Sequence, residues 1–69
     1  MATFVRHLKN GMGAFTAKDI EAAYRITHHN YGEANTDNVE EATDSDLRYI
    51  EGAGGWIPKT DRIRLGIQI

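Results

Sequence analysis

Sixty-nine residues make one domain and bury a core with little redundancy. With no cysteine, disulfides and thiolate zinc sites are excluded, which leaves packing or self-association as the source of stability. The formal net charge is −2, no segment approaches the ~18 apolar residues of a membrane span, and Met1–Lys9 lacks an apolar run of signal-peptide length, so a cytoplasmic protein with no membrane partner is expected.

Taken in order, Thr3–Lys9 alternates Phe4, Arg6 and Leu8 against Val5, His7 and Lys9, which reads as a strand. Asn10-Gly11 is a hairpin signal, and Met12 to Phe15 can return as a second strand. The spacing of Phe4 and Leu8 also allows one turn of helix; Phe, Val and Thr favour the pleated surface. Thr16-Ala-Lys-Asp19 has the form of a capping box. Behind it Ile20, Ala23, Tyr24, Thr27 and Tyr31 recur at helical spacing up to Gly32, a C-terminal stop. Glu21 and Arg25 stand at i, i+4 in the favourable order. Thr36–Ala42 holds only Val39 and Ala42 as apolar anchors and predicts at most a short helix. Thr43-Asp-Ser-Asp46 is a second capping box, followed by Leu47, Ile50 and Ala53 on one face and stopped by Gly52, Gly54 and Gly55. Trp56, the sole tryptophan, is expected in the core. After a turn over Pro58–Asp61, Ile63, Leu65, Ile67 and Ile69 alternate with Arg62, Arg64, Gly66 and Gln68, the pattern of a terminal strand with one buried row. The fold expected is α+β: one long and two short helices on a small antiparallel sheet that ends in a C-terminal β-hairpin.

Charge is unevenly spread. Glu33 to Glu51 holds seven acids and one base, Arg48, while the rest of the chain holds three acids and seven bases. An acidic middle between basic arms speaks to partners rather than to fold.

Little in the chain points to catalysis. His28 and His29 are adjacent, so on a helix they diverge by about 100° and cannot grip one ion together; no metal and no cofactor are expected. Ser45, the only serine, sits inside a capping sequence, and no cysteine is present to act as nucleophile. Glu40/Glu41 and Asp44/Asp46 are carboxylate pairs expected on a solvated surface. Gly52-Ala-Gly-Gly has no following lysine and lies between helix and strand, so it is not a phosphate loop. An enzyme is not expected.

From Val39 onward, the order resembles the second half of winged helix-turn-helix domains. Val39–Ala42 and Thr43–Glu51 correspond to the paired helices, Gly55-Trp56-Ile57 to the start of the wing and Arg62-Ile63-Arg64-Leu65 to its return strand, with Ile20–Tyr31 as the first helix. The resemblance implies either duplex DNA binding or, as in many relatives, a protein-binding role. Asp44, Asp46 and Glu51 on the would-be recognition helix oppose the phosphate attraction that dominates DNA affinity. Two functions follow as expectations. The first is a regulatory protein-interaction module that meets a basic partner surface through Glu40, Glu41, Arg48 and Glu51, for instance a DNA-mimicking inhibitor of the kind mobile elements encode. The second is a DNA-binding regulator using Lys59, Arg62 and Arg64.

Overall fold

The computed structural model describes residues 1–67. Its elements are β1 (Ala2–Leu8), β2 (Gly11–Ala17), α1 (Ile20–Tyr31), a single 3-10 turn (Glu33–Asn35), β3 (Thr36–Glu41), α2 (Asp44–Gly52) and α3 (Lys59–Arg64). They form an α+β domain with a three-stranded antiparallel sheet in the order β2-β1-β3.

β1 and β2 make the expected hairpin, in register from Ala2↔Ala17 to Leu8↔Gly11. The turn falls on Lys9-Asn10, one residue earlier than the Asn-Gly signal suggests, and Gly11 begins the return strand. Neighbours on β1 point to opposite faces, and this separates two cores. On one face Phe4 packs with Ala17, Val39 and Ala23 of α1. On the other, Val5 and Ala14 pack with Leu47 and Ile50 of α2 and with Ile57. The sheet therefore lies between α1 on one side and α2 with the C-terminal segment on the other. Full burial of side chains such as Val5, Leu47 and Ile57 contributes about 1.5–3 kcal/mol each.

α1 starts later than the Thr16 signal. β2 runs on through Ala17, and Asp19 is itself the N-cap, its Oδ1 accepting from the Ala22 amide at 2.8 Å. Ala23 and Thr27 are the residues of α1 that become fully buried, while Ile20, Ile26 and Tyr31 stay largely exposed. Thr27 satisfies its hydroxyl by donating to the Ala23 carbonyl at 2.9 Å. Glu21 and Arg25 form no ion pair among the described residues.

Thr36–Glu41 is a strand, not a short helix. It pairs antiparallel with β1, from Phe4↔Glu41 to Leu8↔Thr36, with an irregularity between His7 and Leu8. The single apolar residue, Val39, suffices because an edge strand needs one inward anchor where a helix needs a stripe. The outer edge is closed by Tyr24 of α1. Its hydroxyl donates to Asn38 Oδ1 at 2.9 Å and meets the Val39 amide at 3.4 Å.

α2 has the expected capping box, with Thr43 and Asp46 exchanging side-chain and backbone bonds at 3.1 and 3.3 Å.

The C-terminal β-hairpin does not form. Residues Lys59–Arg64 are helix, and Ile63, expected in a buried row, is 61% exposed. Two signals outweigh the alternation of Ile63, Leu65 and Ile67. The Pro58 carbonyl accepts from the Asp61 and Arg62 amides, opening the turn. Gly66 (φ +74) closes it as a Schellman cap, with Ile67 N–H bonded to Arg62 O and Gly66 N–H to Ile63 O. Asp61 in the first turn and Arg62 and Arg64 in the last also suit the helix dipole. Leu65 and Ile67 instead pack against the Val5 core from outside the helix; Gln68 and Ile69 of the expected strand lie outside the described residues. With a strand at Val39 and a helix at Arg62–Arg64, the winged-helix likeness gains no support from the structure.

Trp56 is likewise not core: it is 62% exposed, and its neighbour Ile57 is buried in its stead.

Candidate functional site

α2 lies on the Val5 face of the sheet, and its two flanks are unlike. One flank faces α3. There Arg48 donates to the Leu65 carbonyl at 3.4 Å, Glu51 lies 3.6 Å from Arg62, and Asp44 accepts from Arg64 at 2.7 Å. Arg64 also reaches Asp61 at 3.1 Å, and Asp61 accepts from the Thr3 hydroxyl at 2.7 Å. The Arg64 guanidinium holds its proton above the ordinary range, chiefly through the bond to Asp44 and next through that to Asp61. Much of the acid–base asymmetry seen in the sequence is thus paired within the chain.

The opposite flank of α2 is open. Tyr49, about 100° from Ile50 around the helix, is 66% exposed and lines a cleft of about 500 Å³. Met12, Ile50 and Ala53 supply its apolar surface, and His7 and Asp37 supply polar groups. His7 faces this side because it alternates in phase with Val5 on β1. Its Nε2 lies 3.4 Å from Glu40 Oε1, and Glu40 Oε2 accepts from Asn38 at 3.2 Å. Asp37 sits where the β1–β3 register slips; its Oδ1 takes Lys9 Nζ at 3.0 Å.

The residues singled out in the sequence are therefore dispersed. Glu40 stands beside His7, which lines the cleft. Glu41, paired opposite Phe4, lies on the other face of the sheet. Arg48 and Glu51 face the C-terminal segment, where Arg62 and Arg64 are held by carboxylates and Lys59 is exposed at the start of α3. Sequence reasoning passed over His7 and Asp37, and weighed Tyr49 only as an aromatic neighbour of Arg48. The available signal was Tyr49, an aromatic residue two places from Leu47 and so off the apolar stripe of its helix.

Two other features compete for attention. Arg6 lies between the rings of Phe15 and Tyr31, at 5.5 and 4.8 Å, with its guanidinium over Gly13, where a Cβ would come within 2.8 Å of it. Stacking of this kind is adequately explained as cover for a glycine in β2. A shallow groove along α1 is lined by Ala22, Arg25, Ile26, His29 and Asn30, all from one helix, and no second element walls it. His28 packs edge-on against Tyr24 at 5.7 Å. Among the described residues no group of three or more His, Asp or Glu is placed to hold a metal, and no helix is long and apolar enough to cross a membrane. No family model, curated protein or solved structure matches the chain, so its function has to be argued from its own residues and geometry.

Proposed function

We propose that the chain is a non-catalytic protein-interaction module that receives a partner in the cleft between α2 and the sheet, and that the partner presents positive charge there. One observation carries this reading: an exposed tyrosine lines a cleft whose wall also includes Met12, Ile50 and Ala53. Aromatic residues over partly apolar pockets are the usual anchors of protein interfaces. Asp37 is paired with Lys9, so Glu40, beside the cleft-lining His7, is the carboxylate left to favour a basic surface. Of the residues first picked out for partner binding, Glu40 keeps a place beside the cleft, and Glu41, Arg48 and Glu51 lie away from it. A regulatory or inhibitory role is compatible with such a module. The DNA-binding alternative is weakened because Arg62 and Arg64 are engaged by Glu51, Asp44 and Asp61.

Affinity capture with the full chain from an extract of its native host tests this. The expected result is a basic partner whose yield falls with Tyr49→Ala and with Asp37→Lys, and is unchanged with Lys18→Glu far from the cleft. Capture indifferent to both cleft variants contradicts the reading. So does duplex DNA binding at physiological salt that is lost through Arg62→Ala and Arg64→Ala.

A further inference from the structure

We propose that the outer edge of β2 is a self-association surface, on which the same strand of a second copy adds antiparallel to make one continuous sheet. The inference stands on backbone pairing and is independent of the cleft.

An inner strand bonds alternately, residue by residue, to its two neighbours. Beside β1, the Thr3 carbonyl takes the Ala42 amide at 3.0 Å and the Lys9 amide reaches the Asn35 carbonyl at 3.0 Å, so the odd-numbered positions bond towards β3. The even-numbered ones, Ala2 to Leu8, bond towards β2, where they face Ala17, Phe15, Gly13 and Gly11. Met12, Ala14 and Thr16 therefore point both N–H and C=O away from β1. Among the described residues no backbone bond from another element reaches these groups. Ala14 turns its methyl into the Val5 core, and Thr16, next along the edge, is exposed.

The two edges of the sheet are unlike. At β3 the outward Val39 amide meets the Tyr24 hydroxyl. Edge strands that remain single are commonly protected by charge, proline or a bulge. Gly11–Ala17 has no charged residue and no proline, and it pairs with β1 without a register shift.

A second copy fits this edge by symmetry. With a two-fold axis at Ala14, Ala14 faces its own mate and Met12 faces Thr16, so every outward N–H of the strand meets an outward C=O. The contact closes at two chains, because it uses the same edge of each. Phe15 of the copy falls opposite Gly13, beside the Arg6 guanidinium that already stacks on Phe15 and Tyr31. Continued past the strand, the same register sets Lys9 level with Asp19 and Lys18 level with Asn10, so no like charges are brought together.

Sedimentation equilibrium of the full chain over rising concentration tests this, with isotope-filtered NOEs on a mixed labelled and unlabelled sample to fix the register. The expected result is a reversible monomer–dimer equilibrium and an intermolecular contact between the α-protons of Gly13 and Phe15, a non-hydrogen-bonded pair in this arrangement. Thr16→Pro deletes an outward N–H that the single chain does not use. It should raise the dissociation constant at least about fivefold while the monomer stays folded. Met12→Lys with Thr16→Lys sets lysines opposite each other and should abolish the dimer, and Met12→Lys with Thr16→Glu should restore it. The two positions lie roughly 13 Å apart along one strand, so the rescue reads only the contact between chains. If Thr16→Pro does not fold, the paired charge variants decide. A chain that stays monomeric up to about 1 mM, a dimer without the Gly13–Phe15 contact, or a dimer equally strong in both charge variants overturns the inference.

Discussion

Trp56 and Ile57 are adjacent, apolar and opposite in fate: one is largely exposed and the other fully buried. Truncating Ile57 should therefore cost about 2–5 kcal/mol, while Trp56→Ala should change stability by less than about 0.5 kcal/mol, as read from denaturant unfolding. Composition favoured the opposite assignment, because a lone tryptophan is a natural core residue and its direction depends on how the chain leaves α2. Gly66 shows a signal that was present and outweighed. It stands just past a six-residue helix with φ +74 and supports two capping bonds. Gly66→Ala should destabilise the domain by about 1 kcal/mol through the positive φ alone, measurable in the same experiment.

At the scale of elements, what was legible was local. The hairpin, the long helix with its Gly32 stop and the Thr43 capping box are each specified by residues within a few positions of one another, and each forms. β3 was not legible, because a strand with one apolar residue is recognised by its partner: β1 supplies the ladder and Tyr24 covers the far edge. Tyr24→Phe should accordingly speed hydrogen exchange at the Val39 amide while α1 stays folded. α3 was misread because four branched residues at a period of two imitate a strand, and the outcome was set by Pro58, Gly66 and the distant Thr3–Asp61 bond. The alternation in β3 also separates two neighbouring acids. Glu40→Lys, beside His7, should weaken partner capture, and Glu41→Lys, on the other face of the sheet, should leave it unchanged; both should stay within about 1 kcal/mol of wild-type stability.

For the whole molecule, charge is the property most changed by folding. The acidic middle and the C-terminal arginines, separated in sequence, meet across α2 and α3 and partly cancel. The other flank of α2 is left open, and there Tyr49, His7 and Asp37 come together from three elements that no sequence spacing connects. The candidate site was therefore much less legible than the fold. Hydrogen exchange on the full chain, free and bound to its captured partner, tests the central claim most directly. Slowed exchange at Met12, Tyr49, Ile50, Ala53 and Gly55, which line the cleft, is the predicted footprint. Slowing confined to Lys59–Arg64 or to the outer face of α1, with the cleft amides unchanged, would contradict it.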